Sequence, residues 1–202
     1  MPSSTKRENT SLVATPRGEA QIDLYQPTGK ARALIALGHG AGGGVDAPDL
    51  IAVKQAALAE KIAIALITQP YRVAGRRSPA PAPQLDEAWL AVLPHLPKLP
   101  LFVGGRSSGA RVACRTAAAA KARGVIALAF PLHPPGKPTV TRADELLSGV
   151  PTLVVNGDRD PFGLPTPSQG IEVVVIPGAR HDLRKDLDTV ATAVVNWVRS
   201  IG

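Results

Sequence analysis

The sequence predicts an α/β fold, a mostly parallel sheet of about seven to eight strands with helices on both faces, and two observations predict it. Short β-branched and leucine-rich runs alternate along the chain with longer alanine-rich segments. The apolar runs are continuous rather than alternating, which is the pattern of strands covered on both sides. In chain order, 11–14 and 20–25 flank Pro16-Arg17-Gly18 and read as an antiparallel hairpin at the sheet edge. Strands are expected at 33–37, 62–68, 101–103, 125–130, 152–155 and 171–176, with helices over 50–61, 85–96, 110–123, 142–147 and 183–201 between and after them. The last helix places Leu183, Leu187, Val190, Val194, Val195 and Val198 near a 3.6-residue period. A chain of 202 residues, nearly half of them apolar, closes around one core, so residues 11–202 are expected as one domain behind a flexible tail of 1–10.

Composition excludes several function classes. No apolar run approaches the roughly 18 to 20 residues of a membrane span or follows the charged N-terminus as a signal peptide would, so a soluble, cytoplasmic protein without a membrane partner is expected. Cys114 is the single cysteine, which forbids an internal disulfide and a thiol-based metal cluster. The formal charge of +7 admits an acidic partner, but only Arg72, Arg76 and Arg77 cluster, and only Tyr71 interleaves them. That pattern predicts no specific nucleic-acid partner.

Functional groups in an open α/β sheet gather where strands end and loops begin. Gly38-His39-Gly40-Ala41-Gly42-Gly43-Gly44 follows the first central strand and matches G-x-G-x-x-G. The next strand ends Ile67-Thr68-Gln69-Pro70 without the acid that would hold a ribose, and no Lys-Ser/Thr follows the glycines. A nucleotide cofactor is therefore not expected, although the glycines leave backbone N–H groups free to face a negative charge. Gly105-Arg106-Ser107-Ser108-Gly109 satisfies G-x-S-x-G between an expected strand and helix, the setting of a serine nucleophile on a sharp turn. A helix N-cap by Ser107 or Ser108 accounts for the same residues without chemistry.

A nucleophilic serine needs a base, and the base an orienting acid. His181 stands just after the last strand, and Asp158 and Asp160 just after the strand before it, so the order is Ser, Asp, His. Pro161 restricts Asp160 to extended backbone that aims it away from its turn, whereas Asp158 is placed to bond that turn's own N–H groups. Asp182 adjoins His181 and cannot easily reach its Nδ1. His39 follows a strand directly and reads as structural or substrate-facing, as does His133 in Pro131-Leu132-His133-Pro134. His95 reads as a surface residue at a helix end and Cys114 as core. Arg106, beneath the elbow, predicts a buried carboxylate partner.

GHGAGG, GGRSSGARVA, FPLHPPGKP, VVNGDRDPFG and GARHDL together resemble the α/β-hydrolase superfamily, and within it the small dienelactone-hydrolase-like branch with the KAN-type and testis-expressed-type hydrolases. The resemblance spans Gly38 to Leu183. It implies an α/β-hydrolase fold, Ser107 as nucleophile, Asp160 as acid, His181 as base, and the backbone N–H groups of Ala41 and Ser108 as the oxyanion hole. The short segment 131–150 between two strands, where many relatives insert a lid, predicts no lid domain and a shallow site. His39, Gly40, Gly42 and His133 are then the candidate substrate contacts. The expected activity is hydrolysis of a small acyl ester or thioester through an acyl-enzyme, with no metal or organic cofactor. The alternative is an interaction module that keeps the fold and uses its loop face for a partner. Nothing in the residues separates a monomer from a homodimer.

Overall fold

The computed structural model describes residues 7–201 and builds them around one eight-stranded sheet of order β1-β2-β4-β3-β5-β6-β7-β8. β1 (Arg7–Thr15) and β2 (Gly18–Tyr25) form the expected edge hairpin, and β2 joins β4 (Ile62–Thr68) antiparallel. From there β3 (Ala33–Gly38), β5 (Leu101–Arg106), β6 (Gly124–Leu128), β7 (Thr152–Gly157) and β8 (Ile171–Ile176) are all parallel. β1 begins at Arg7, inside the segment expected as a tail. The extra residues are held by the ladder to β2, in which Arg7 pairs with Tyr25 and Asn9 with Leu24. Residues 1–6 of that tail lie outside the described residues.

The helices are α1 (Pro48–Ala59), α2 (Pro70–Val73), α3 (Ala82–Val92), α4 (Ser108–Thr116) and α5 (Leu187–Ile201). Strand residues alternate between two cores. Ile35, Leu37, Ile64, Leu66 and Phe102 pack with Leu50 and Val53 of α1 and with Val190, Val194 and Val198 of α5. On the other face Ala36, Ala63, Ala65 and Val103 pack with Trp89 of α3 and with Val112 and Ala113 of α4. The second face is built of smaller side chains, so α4 can approach the sheet closely: a methyl group on Gly38 would lie 3.4 Å from the Gly109 Cα. That approach seats the turn between β5 and α4 over the carboxyl end of the sheet.

Four expected elements differ, the helix expected over 142–147 among them. The regular helix after β5 ends at Thr116 and continues as turns to Lys121, whose φ of 51° and the bond from Ala122 N to Ala117 O close it in the left-handed manner of a helix C-terminus. α5 starts at Leu187, because Leu183 sits at φ 51° in a turn closed by its N–H on Arg180 O. β8 is an edge strand with Glu172 and Val175 exposed, so it is not covered on both faces. The segment between β6 and β7 holds only a 3₁₀ turn, Ala143–Leu146, tied to α4 by Glu145 with Arg111 and Arg115. It forms no lid.

Candidate active site

Ser107 is the hinge between β5 and α4, with φ 51° and ψ −106°. A residue with a Cβ adopts that backbone at a cost of about 1–3 kcal/mol, and the surrounding bonds must hold it. Its N–H donates to Leu128 O at 2.9 Å and its carbonyl accepts from Arg111 N at 3.2 Å. A methyl group on Gly105, or on Gly109, would stand 2.5 Å from Gly38 O, so both flanking glycines are required for the turn to lie against the end of β3. The Ser107 side chain makes no cap bond to α4. Capping therefore does not explain the serine.

Ser107 Oγ instead meets His181 Nε2 at 2.9 Å, and His181 Nδ1 meets Asp160 Oδ2 at 2.8 Å. The Asp160 carboxylate is shielded from solvent, while the imidazole is 22% exposed. Asp160 Oδ1 accepts from Phe162 N at 2.8 Å, and Asn156 Nδ2 approaches Oδ2 at 3.5 Å. The Phe162 ring stands edge-on to the imidazole, centroids 4.5 Å apart. Asp158 takes a different place: its Oδ1 accepts from Gly178 N at 2.6 Å. It thus staples the His181 loop instead of its own turn. A second bond between the same loops runs from Arg159 N to Ala179 O at 3.0 Å. Asp182 is exposed and accepts from Arg184 N, remote from the Nδ1 of its neighbour.

The glycine loop after β3 borders the elbow, a methyl group on Gly40 falling 3.7 Å from the Ser107 Cβ. Gly43 N donates to Gly40 O and Tyr71 Oη donates to Ala41 O at 2.8 Å, fixing the loop from within and from α2. Ser108 N belongs to the first turn of α4, whose N–H groups have no intrahelical acceptor. Gly42 faces open space. His39, a candidate substrate contact, is 2% exposed and its ring is bonded within the protein. Its Nε2 accepts from Gln69 N at 3.1 Å, which assigns the proton to Nδ1, and Nδ1 donates to Gly40 O at 2.8 Å. Burial lowers its pKa below the ordinary imidazole range, keeping it neutral and structural. His133 is bound into its own loop: Nδ1 donates to Val140 O at 3.0 Å and the ring packs over Gly163. Its main chain joins the acid loop through its N–H on Phe162 O, and no contact brings it to Ser107.

The carboxylate expected behind Arg106 is Asp49, fully buried in the first turn of α1, with Oδ2 3.1 Å from Arg106 Nε. Sequence reasoning anticipated the partner without naming it; an acid directly after Pro48 at a helix start was the available signal. It also missed Asn156, whose amide accepts from Phe130 N and donates to Phe130 O, tying the acid's strand to β6. Phe162 carried no signal beyond adjacency to Asp160-Pro161. The arrangement can polarise a serine hydroxyl toward an imidazole held in one tautomer. Among the described residues no group of three or more His, Cys, Asp or Glu could hold a metal ion, and no helix is long and apolar enough to cross a membrane.

A family model described as an alpha/beta hydrolase domain matches residues 31–201. No curated protein matches the chain significantly. Among solved structures the chain is similar to a lidless α/β serine hydrolase from Xanthomonas campestris, with 18% identity and TM-score 0.76 over 98% of this chain and 97% of the other. It is similar to an α/β serine hydrolase homologue from Coxiella burnetii, with 19% identity and TM-score 0.75 over 97% of this chain and 100% of the other. A dienelactone hydrolase from Anabaena variabilis gives 20% identity and TM-score 0.72 over 97% of this chain and 99% of the other. The parallel sheet, the turn at Ser107 and the family match over 31–201 lead to one conclusion: the chain belongs to the α/β-hydrolase family.

Proposed function

We propose that the chain is a serine hydrolase of small acyl esters or thioesters, acting in the cytoplasm through an acyl-enzyme. The observation that carries this reading is the continuous hydrogen-bonded line from Ser107 Oγ through His181 to the buried carboxylate of Asp160, at 2.9 and 2.8 Å. His181 Nε2 takes the proton of Ser107 as Oγ attacks the acyl carbon, and Asp160 stabilises the imidazolium and holds Nδ1–H in place. The N–H groups of Ala41 and Ser108 receive the developing oxyanion. Collapse expels the alkoxide or thiolate, which takes the proton from Nε2. Water, activated by the same imidazole, then releases the acid and restores Ser107.

The reading of small acyl groups rests on the short connection between β6 and β7. Its 3₁₀ turn is drawn back onto α4 by Glu145, which among the described residues leaves this connection off Ser107 and unable to enclose a long chain. A reducing, cytoplasmic setting suits the single, buried Cys114. The test is turnover of p-nitrophenyl acetate, butyrate and octanoate by the wild type and by Ser107→Ala. The short esters should be cleaved faster, and Ser107→Ala should cleave none. Activity surviving that substitution would remove the nucleophile assignment, and a preference for octanoate would overturn the open-site reading.

A further inference from the structure

Two loops and one strand must meet for Ser107, Asp160 and His181 to align, and the contacts that hold them are unevenly shared. The His181 loop is stapled to the acid loop by Asp158 on Gly178 N and by Arg159 N on Ala179 O. On the serine side, the main chain of His181 is held by one side chain. Arg106 Nη2 donates to His181 O at 2.8 Å. Arg106 is also the residue covalently before Ser107, the last of β5.

We infer that Arg106 is a positioning residue that sets the distance between His181 and Ser107, and that Asp49 is its anchor. The inference rests on the hydrolase reading above. It follows from the closed circuit of the contacts: Ser107 main chain, Arg106 guanidinium, His181 carbonyl, imidazole, Ser107 Oγ. Shortening or freeing the guanidinium changes the one link in that circuit that does not react. Asp49 fixes the guanidinium from the opposite side, at 3.1 Å, from the first turn of α1. The ion pair is poorly aligned for hydrogen bonding, neither Asp49 oxygen nor Arg106 Nε having a well-aligned partner among the described residues, although the backbone N–H groups of Asp49 and Leu50 also favour the charged carboxylate. Burial pushes the Asp49 carboxyl above the ordinary carboxylate range and the Arg106 charge opposes that shift. A fully buried carboxylate paired with one guanidinium is costly to keep for stability alone. Its orientation of Arg106 supplies a reason for it to be there.

The groups facing His181 are Ser107, Asp160, the Phe162 ring and Arg106, with the Asp49 carboxylate close enough to interact with it by charge and the exposed Arg180 and Asp182 on either side in sequence. Removing Arg106 alone would strand the buried acid, so the informative variant is Arg106→Met with Asp49→Asn, which replaces the pair by neutral groups. With Asp160 and Phe162 intact the imidazole keeps its orienting acid but loses its distance from Oγ.

The experiment compares wild type, this double variant and Arg106→Lys by the rate of Ser107 labelling with a fluorophosphonate, by kcat and KM on p-nitrophenyl acetate, and by the ¹⁵N imidazole spectrum of His181 across pH. The double variant should melt cooperatively, keep its KM, and lose about 100-fold in kcat and labelling rate, the scale of a 1 Å misplacement. Its imidazole should keep the proton on Nδ1, which Asp160 still holds, while the Nε2 signal shifts as its bond to Ser107 Oγ is lost. Arg106→Lys, which keeps a charge and a donor, should stay faster than the double variant. Wild-type rates together with an unchanged imidazole spectrum in the double variant would overturn the inference, leaving Arg106 and Asp49 as a structural pair. If the wild type itself is not labelled at Ser107, the hydrolase reading fails, and the imidazole spectra still decide whether Arg106 sets the place of His181.

Discussion

Replacing Asp160 by asparagine exchanges a carboxylate oxygen for an amide nitrogen at the one place where that exchange reverses a proton. Asp160 Oδ1 accepts from Phe162 N at 2.8 Å, so the amide oxygen of the variant must stay there. The NH₂ group then takes the place of Oδ2, which lies 2.8 Å from His181 Nδ1. An amide N–H can only donate to that nitrogen, which moves the imidazole proton to Nε2. Nε2 faces Ser107 Oγ at 2.9 Å and, once protonated, no longer accepts its hydrogen. The variant also loses the charge that stabilises imidazolium. Together these should lower kcat by about 10⁴-fold, or about 5.4 kcal/mol of barrier, with KM little changed. The fold should survive, since the Phe162 bond is kept. The companion variant is Asp158→Ala, which removes the acceptor of Gly178 N in an exposed setting. That loss is worth about 1 kcal/mol, a fall of about 2–4 °C in Tm, with kcat held within about tenfold. Steady-state kinetics on p-nitrophenyl butyrate and thermal melts of both variants decide the matter. The reverse pattern, with Asp158 governing rate and Asp160 only stability, would refute the assignment of the acid.

Two further outcomes follow from the surroundings of the site. Burial alone would raise the Glu145 carboxyl, but the hydrogen bonds and charges of Arg111 and Arg115 outweigh it and hold the group below its ordinary range. Its contribution to stability is therefore complete above about pH 4.5 and lost as pH falls through the folded value. Glu145→Gln should melt lower than wild type at neutral pH and converge with it in acid, as thermal melts across pH will register; a constant gap at all pH values would contradict the sign. Burial pushes the Cys114 thiol up to about 12, the Glu145 charge adding to the effect. Native protein should resist iodoacetamide at pH 8 and react fully in denaturant, and rapid native labelling read by mass spectrometry would show α4 to be looser than its packing against β5 and β6.

The positions of the central strands were legible because both faces of the sheet are covered: Ala33–Gly38, Ile62–Thr68 and Thr152–Gly157 are dominated by buried apolar residues. The same logic misread β8, where Ile171-Glu172-Val173-Val174-Val175-Ile176 is nearly as apolar but stands at an edge, a position that local sequence does not encode. Alanines 117–120 carry helix propensity beyond Thr116, and the local left-handed closure at Lys121 overrode it. The meeting of Ser107, Asp160 and His181 was legible because each lies within a few residues of the end of a strand, so chain order stands in for position in space. Asp160 was separable from Asp158 by the backbone restriction of Pro161, although the partner of Asp158 lay on the other loop, 20 residues along the chain. His39 and Asp49 show what the chain conceals. The first has the residue type and the place of a substrate contact, and only the folded chain shows it buried with both ring nitrogens bonded to backbone. The second sits 57 residues before Arg106, and only the folded sheet brings α1 beneath the elbow.

The central claim is that Ser107 is a nucleophile activated by His181, and covalent capture tests it most directly. Folded wild-type protein incubated with a fluorophosphonate probe at neutral pH should take up one label per chain, and peptide mapping should locate it on Ser107. The label should vanish in Ser107→Ala and slow sharply in His181→Ala. A label on Ser108, or folded wild-type protein that takes up none, would contradict the account.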